Sequence, residues 1–327
     1  MACKPPDDII NVLNTHNRFV LSSHARPDGD SVGSQLALAH AMHSLGKSVR
    51  IVNHDAPPLC LHTLPGIDSI EVSASISDRA DAAVILECSS LQRTEISGLE
   101  RQTLINIDHH AGNEMYGTHN WFDGTAAACA EQVYDIIIAL GVSVTQEIGM
   151  ALYAGILTDT GSFRHANITA RTFNICQHVA ASGVDVSQVA AEIYQSSSLG
   201  KIKLIGKLLD GMQLESDGRI AVLNVDDALL RQTGCPPDDI EGLINLPLSA
   251  KVIEAVIMIK AHSDLTRVSL RSKTGVDVRA VAKAFGGGGH NNASGFSTPV
   301  AAAEIEPQVI AKVHDALAQV TPLDSGR

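Results

Sequence analysis

Aromatic side chains and positive charges are both scarce in this sequence. Phenylalanine, tyrosine and tryptophan make up 3% of the 327 residues, which leaves little material for a surface that stacks successive bases. The 24 basic residues are outnumbered by 36 acidic ones, for a net charge of −12. This balance argues against a broad basic face for long nucleic acid. The charge balance does not exclude the binding of small phosphorylated ligands, because acidic residues can hold metal cations that attract phosphate.

Long apolar runs and paired cysteines are also missing. No stretch approaches the ~18–20 apolar residues of a membrane span. The first residues, MACKPPDDII, lack the basic-then-apolar pattern of a signal peptide. The cysteines are scattered, which indicates reduced thiols rather than a disulfide framework or a zinc site: Cys3, Cys60, Cys88, Cys129, Cys176 and Cys235. We expect a soluble, cytoplasmic, globular protein without a membrane partner.

The hydrophobic pattern of the first half predicts an α/β fold with a doubly wound parallel sheet. The chain length and a hydrophobic content of 45% are enough for two domains with cores of their own. An apolar run at 18–24, a helical pattern at 31–46 and a second run at 48–54 form a βαβ unit. Further elements continue the alternation, namely strands at 82–87 and 103–108 and helices at 125–140 and 146–157. The apolar helix 125–140 fits a core or the interface of a homodimer equally well.

The second half changes character twice. Residues 169–215 are helical in pattern, and strands follow at 219–225, 255–262 and 267–272, with helices at 276–285 and 301–319. We therefore expect a first domain over 1–190, a helical linker over 191–215, and a smaller α/β domain over 216–327.

A polar segment, HARPDGDS (24–31), follows the first predicted strand. Open α/β sheets bind ligands at this end of their strands. His24, Asp28 and Asp30 offer an imidazole and two carboxylates, a set that suits Mn²⁺, Fe²⁺, Co²⁺ or Zn²⁺. The alternative is a loop whose aspartates cap the next helix and whose histidine is solvated.

Three more polar groups end predicted elements. Asp108, His109 and His110 follow the apolar run LINI, and two adjacent histidines cannot both pack into the sheet. Glu87 closes the apolar run AAVIL, where a buried, unpaired carboxylate would be costly, and Asp159 closes the helical run ALYAGIL. Taken singly, these groups could form an exposed turn, a cap or a salt bridge.

All four clusters can lie at one edge of one sheet, because each ends a predicted element. Together they supply two imidazoles and four carboxylates, which is the composition of a two-metal hydrolytic site. The candidate metal ligands are His24, Asp28, Asp30, Glu87, His109 and Asp159.

A glycine run, FGGGGHNNASG (285–295), follows the helical pattern at 276–285. Consecutive glycines let backbone N–H groups approach an anion, and His290 adds a donor. The run is not a P-loop, because no Lys-Ser/Thr pair follows it. The alternative is a flexible loop.

Four segments in this order resemble the DHH/DHHA1 phosphoesterases, in particular the short two-domain NrnA branch of oligoribonucleases and pAp phosphatases. They are HARPDGDSVGS (24–34), IDHH (107–110), LTDTGSFR (157–164) and FGGGGHNNASG (285–295). The resemblance covers nearly the whole chain.

The resemblance implies two divalent metal ions, with Mn²⁺ as the first expectation and Mg²⁺ or Co²⁺ as alternatives. It assigns His24 with Asp28 to one ion, and Asp30, His109 and Asp159 to the other. A bridging Asp is usual in the family at the position that Glu87 occupies. The longer side chain can still bridge, with an expected effect on metal position, metal preference or rate.

The resemblance also implies hydrolysis of a phosphate ester by a water that two metals activate. His110 would contact the scissile phosphate or assist the leaving group, and Asp108 would orient a neighbouring histidine. The second domain would bind the far end of the substrate through Arg271, Ser272, Gly286, Gly287, Gly288, Gly289 and His290.

The expected substrates are short oligoribonucleotides, linear dinucleotides such as pApA, and 3′-phosphoadenosine 5′-phosphate (pAp), but not long nucleic acid. Two alternatives remain. A manganese-dependent pyrophosphatase shares the N-terminal clusters but has a different C-terminal domain with a basic segment of the Ser-Arg-Lys-Lys type. The segment SLRSKTG (269–275) resembles that basic segment only weakly. A non-catalytic nucleotide-binding relative would be consistent with Glu87.

Overall fold

The computed structural model describes residues 4–240, 242–261, 265–273 and 275–318. The chain divides between Ser196 and Ser197 into two compact units. Among the described residues, none of the helices combines the length and the apolar character that a bilayer span requires.

The first unit contains a six-stranded sheet in which every strand pair is parallel. The strand order is β3-β2-β1-β4-β5-β6, so the chain reverses its direction of winding between the neighbours β1 and β4. The strands are β1 (Arg18–Ser22), β2 (Ser48–Asn53), β3 (Ile70–Val72), β4 (Ala82–Leu86), β5 (Leu104–Asp108) and β6 (His119–Phe122). The predicted parallel α/β sheet is confirmed, with two short strands added at its edges.

The helices of this unit pack together in one large apolar core. They are α1 (Asp7–Thr15), α2 (Gly29–Ser44), α3 (Cys129–Ala139), α4 (Gln146–Asp159), α5 (Ala170–Ala181) and α6 (Val186–Tyr194). α3 buries Val133 and Ile136 there, which makes the helix predicted at 125–140 part of the core. The opposite face of the sheet carries a smaller core in which Val20 and Ile85 meet Ile96 and Leu99, from loops and 3₁₀ turns rather than α-helices.

Helices α2 and α4 cross at very short distance. A Cβ atom on Gly33 of α2 would lie 2.4 Å from the carbonyl oxygen of Ala151 on α4. A Cβ atom on Gly155 of α4 would lie 2.8 Å from Oδ1 of Asp30. Glycine at these positions lets the two helices bring Asp30 and Asp159, at their ends, to the same place.

The second unit contains a mixed six-stranded sheet with the order β11-β12-β10-β9-β8-β7. Only β8 and β9 pair in parallel. The strands are β7 (Gln213–Glu215), β8 (Ile220–Asp226), β9 (Ala255–Ala261), β10 (Thr266–Ser272), β11 (Gly288–His290) and β12 (Ala293–Thr298). The predicted α/β character of this region is confirmed.

Apolar cores cover both faces of the second sheet. The strand β9 contributes to both, because alternate residues of a strand point to opposite sides of the sheet. Ile257 lies in one core with α9 (Val278–Ala284) and α10 (Ala302–Ala318). Met258 lies in the other with α7 (Leu199–Asp210) and α8 (Asp227–Thr233). α7 buries Leu204 and Leu208 in that core, so the structure places most of the stretch expected as a linker within the second unit.

Candidate metal centre

The predicted metal ligands meet at the carboxyl edge of the parallel sheet, at the β1–β4 switch point where such sheets bind ligands. They come from the loop after β1, the first turn of α2, the residues after β4 and β5, and the end of α4. Within each of three overlapping groups, one ligand atom per residue lies within 4.8 Å of the others. The groups are His24, Asp28 and Glu87; Asp30, His109 and Asp159; and Glu87, His109 and His110.

Asp30 is held by the first residues of α3. Its carboxylate accepts hydrogen bonds from the backbone N–H groups of Cys129 at 2.6 Å and Ala130 at 2.9 Å, and from Ser34 Oγ at 3.1 Å. The N-terminus of a helix stabilises negative charge. A completely buried carboxylate is thereby fixed in position even though the ordinary cost of burying it is high.

His24 and Asp28 combine a cap with a ligand arrangement. Asp28 Oδ1 accepts from the N–H of Ser31 and caps α2, while Oδ2 lies 3.8 Å from His24 Nε2. His24 Nδ1–H donates to the carbonyl of Ala25 at 2.8 Å, which leaves Nε2 to face Ser31 Oγ at 3.0 Å and the centre. The capping role considered from the sequence is therefore compatible with metal binding.

His109 occupies the middle of the cluster. Its Nδ1–H donates to the carbonyl of Ala126 at 3.1 Å, so that Nε2 points at three carboxylates. The distances from Nε2 are 3.2 Å to Glu87, 3.5 Å to Asp159 and 4.0 Å to Asp30. This orientation is the one that a metal-ligating histidine takes when its second nitrogen is held by a carbonyl.

Glu87 stands directly after β4 with a left-handed backbone, at φ +56°. This conformation is uncommon for a residue with a side chain and points to a local constraint. The side chain is 1% exposed, with Oε1 lying 3.4 Å from His110 Nε2. Among the described residues, neither Glu87 oxygen nor His109 Nε2 has a hydrogen-bond partner. Divalent cations fit this donor set, because they would satisfy all three buried atoms at once.

The crowding of acids shows in the pKa values. Burial, with Glu87 and Asp159 nearby, raises the pKa of Asp30 well above its usual range. Burial also raises the pKa of Asp159 to about 6. Burial by itself lowers the pKa of His109, but the surrounding carboxylates outweigh it and raise this pKa to about 10. The cluster therefore attracts positive charge.

His110 and Asp108 form a pair beside the cluster. Asp108 Oδ1 accepts from His110 Nδ1 at 2.9 Å, and Oδ2 accepts from Asn113 at 2.6 Å. Burial alone would raise the pKa of Asp108, but these hydrogen bonds lower it, and the same bond to Asp108 raises the pKa of His110. The more exposed His110 ring thus has a fixed orientation beside the cluster.

The predicted anion-binding residues of the second unit have mixed outcomes. Arg271 lies on β10 and its Nη1 donates to the carbonyl of Leu270 at 3.0 Å. The buried Ser272 hydroxyl donates to the carbonyl of Val276 at 2.7 Å and accepts from Asn292 at 3.1 Å. The Ser272 hydroxyl proton is thus used in a hydrogen bond inside the protein, which disfavours donation from this group to a substrate.

The glycine run forms a turn after α9 and then the short strand β11, which pairs with β12. The N–H groups of Gly286 and Gly287 donate to the last carbonyls of α9, and Gly288 and Gly289 pair with β12. A Cβ on Gly287 would lie 2.2 Å from the carbonyl oxygen of Gly295. The N–H groups of Gly286 and Gly287 are therefore not available to an anion. Adjacent residues of a strand direct their N–H groups to opposite sides, so one of the two N–H groups of Gly288 and Gly289 is directed away from β12. The side chain of the fifth predicted residue, His290, lies outside the described part.

Sequence reasoning missed two asparagines beside the centre. Asn106 is buried within β5 and Asn113 lies in the turn after it, and both belong to the hydrogen-bond network of Asp108. The available signal was a polar residue inside the apolar run LINI, which a folded protein rarely buries without partners.

Fold and site together define the class, an α/β protein with histidine and carboxylate groups that could hold metal ions at the edge of a parallel sheet. The sequence matches the DHH family, N-terminal domain, over residues 18–156, and the DHHA1 domain over residues 217–319. The chain belongs to the DHH–DHHA1 family of phosphoesterases. The DHHA1 match disfavours the pyrophosphatase alternative, which would require a different C-terminal domain.

Two curated relatives carry the same name, bifunctional oligoribonuclease and PAP phosphatase NrnA. The protein of Thermus thermophilus is 31% identical over 84% of this chain and 82% of its own length. The protein of Bacillus subtilis is 25% identical over 89% of this chain and 92% of its own. The crystal structure of an exopolyphosphatase-related protein from Bacteroides fragilis has the same fold, with a TM-score of 0.86, 24% identity and coverage of 96% and 97% of the two chains.

Proposed function

We propose that this protein hydrolyses short oligoribonucleotides, linear dinucleotides of the pApA type and pAp to mononucleotides. The observation that carries the proposal is the buried Glu87 carboxylate, which accepts no hydrogen bond from the described residues and faces His109 Nε2 at 3.2 Å within a cluster of further carboxylates. The names of the NrnA relatives supply the substrate class.

The cluster would hold two divalent cations, with Mn²⁺ as the first choice. Asp30, His109 and Asp159 form one ligand group, and His24, Asp28 and Glu87 form the other. Glu87 reaches both, since its Oε2 lies 3.2 Å from His109 Nε2. The mixed oxygen and nitrogen donors without thiolate suit Mn²⁺ better than a soft metal.

Bound cations would supply Lewis-acid chemistry, by polarising phosphoryl oxygens and acidifying water. The protein's own residues would do the positioning. Asp108 holds the His110 ring at Nδ1, which directs Nε2 to the Glu87 side of the cluster. A raised pKa favours the protonated imidazolium, a donor for a phosphate oxygen or for the leaving group.

Short substrates are supported by composition. A net charge of −12 and 3% aromatic residues give little affinity for a long polyanion. We propose that Arg271, with the N–H of Gly288 or Gly289 that is directed away from β12, binds a terminal phosphate, because a guanidinium matches phosphate geometry with two parallel hydrogen bonds.

The test is a hydrolysis assay with Mn²⁺ on pApA, pAp, a five-nucleotide RNA and pyrophosphate, each with a chelator control. We expect mononucleotide release from the first three substrates, abolished by the chelator. Cleavage of pyrophosphate alone would contradict the proposal and favour the alternative of a manganese-dependent pyrophosphatase. No cleavage of any substrate would favour a nucleotide-binding relative without turnover.

A further inference from the structure

Asn106 is the junction of a network of hydrogen bonds that starts at the backbone after Glu87 and leads to His110, which lies 3.4 Å from the Glu87 carboxylate. It lies in the middle of β5, 1% exposed, between β4 and β6. Its amide group contacts both the backbone after Glu87 and the side chains that orient His110. No other described side chain joins these two parts of the centre.

The first arm of the network holds the backbone on the carboxyl side of Glu87. Asn106 Nδ2 donates to the carbonyl of Cys88 at 3.0 Å, and the Tyr116 hydroxyl donates to the same carbonyl at 3.1 Å. Asn106 Nδ2 also lies 3.0 Å from the Tyr116 hydroxyl oxygen. On the other side, the N–H of Glu87 donates to the carbonyl of Ile107 at 3.0 Å. These bonds hold the backbone on both sides of Glu87 and thereby stabilise its left-handed conformation.

The second arm reaches the side chain that faces Glu87. Asn106 Oδ1 accepts from Asn113 Nδ2 at 2.8 Å, and the same Nδ2 donates to Asp108 at 2.6 Å. Asp108 in turn holds His110 Nδ1, and His110 Nε2 lies 3.4 Å from Glu87 Oε1. The chain of contacts therefore closes on the carboxylate whose backbone the first arm fixes.

We propose that Asn106, assisted by Tyr116, is a positioning residue that presets Glu87 and His110 for metal and substrate. The inference rests on the proposed function, since it assumes that Glu87 is a metal ligand. Asn106 touches neither metal nor substrate. It acts by holding two groups that come from the ends of different strands in one arrangement, so that their ordering is complete before a ligand arrives.

A purely structural role is the competing explanation, because any buried asparagine stabilises its fold. The first unit contains a matched control. Asn53, at the end of β2 in the same sheet, is completely buried and exchanges two hydrogen bonds with Gln35 at 2.7 and 2.9 Å. Neither residue bonds to a candidate ligand. Asn53→Ala therefore removes an equally buried amide without touching the network.

The experiment measures Mn²⁺ binding by titration calorimetry and the unfolding midpoint of the metal-free full-length protein. We expect Asn106→Ala to raise the Mn²⁺ Kd by about ten-fold or more, the range found when partners of metal ligands are removed. Asn53→Ala should lower the unfolding midpoint comparably but leave Kd within about two-fold of wild type. Tyr116→Phe should raise Kd by about three-fold, since it removes one of two bonds to the Cys88 carbonyl.

Equal Mn²⁺ affinity in Asn106→Ala and wild type would overturn the inference, and so would an equal loss in Asn53→Ala. If Asn106→Ala yields no folded protein, Tyr116→Phe decides: an unchanged Kd rejects the positioning role. The proposed function fails separately, when wild-type protein binds no Mn²⁺ or hydrolyses no nucleotide. Wild-type binding and turnover with unaltered variants would reject the inference alone.

Discussion

Two glycine-to-alanine substitutions at the contact between α2 and α4 should have similar effects on stability but different effects on metal affinity. Alanine is a better helix former than glycine by about 1 kcal/mol. Gly→Ala therefore stabilises a protein at helical positions where the added Cβ meets no other atom. At Gly155 the new Cβ would lie 2.8 Å from Asp30 Oδ1 and 2.9 Å from the Ala130 Cβ, against 3.4–4 Å in an ordinary contact. Asp30 cannot move away freely, because the N–H groups of Cys129 and Ala130 hold it.

Gly33→Ala is the matched variant at the same crossing. Its Cβ would meet the Ala151 carbonyl at 2.4 Å, which is backbone, and no candidate ligand is among its nearest contacts. Overpacking costs about 1–3 kcal/mol, so after the gain in helix propensity we expect a net loss of about 0–2 kcal/mol for each variant. Only Gly155→Ala should also displace a ligand.

Thermal unfolding and Mn²⁺ titration of the two variants provide the measurement. A net loss of 1 kcal/mol corresponds to about 2–4 °C in a unit of this size. We expect similar decreases in the unfolding midpoint, with a Kd for Mn²⁺ at least about ten-fold higher in Gly155→Ala alone. Unchanged metal affinity in a folded Gly155→Ala protein would refute the assignment of Asp30 as a ligand.

Three further predictions concern single side chains. Asp159→Ala and His109→Ala should each abolish hydrolysis while far-UV circular dichroism stays that of wild type; near-full activity in either would contradict the ligand assignment. Arg271→Ala should raise KM for substrates with a free terminal phosphate and leave kcat nearly unchanged, and an unchanged KM would remove it from the site. The hydrogen bond from His119 lowers the pKa of Asp8 below its ordinary 3.8, so this contact stabilises the fold above that pH and the contribution is lost as pH falls. Asp8→Asn should therefore lower the unfolding midpoint more at pH 6 than at pH 3, and an equal effect at both would contradict this.

The sequence predicted the central strands because they are buried on both faces. β4 is apolar throughout, and β1 has three consecutive buried apolar residues, Phe19 to Leu21. The edge strands β3 and β6 were not predictable in this way, since each buries a single side chain, Ile70 and Trp121. A pattern of burial cannot identify a strand whose main stabilisation is backbone pairing with one neighbour.

The structure brings predicted site residues together where a polar residue ends an apolar run, as at Glu87 and His109. The strand β11 in the glycine run was not predicted, because its partner β12, ASGFST, consists mostly of small residues and lacks the β-branched pattern of a strand. Side-chain networks such as that of Asn106 depend on which strands are neighbours, and sequence separation alone does not give that information.

The most direct test of the central claim is electron paramagnetic resonance of the Mn²⁺-loaded protein, combined with the metal count per chain. Two-metal sites place their ions about 3.5–4 Å apart. We predict two Mn²⁺ per chain with an exchange-coupled spectrum, because the Glu87 carboxylate belongs to ligand groups on both sides of the cluster. Glu87→Gln should weaken that coupling. A single Mn²⁺, or two ions with independent spectra, would contradict a shared two-metal centre.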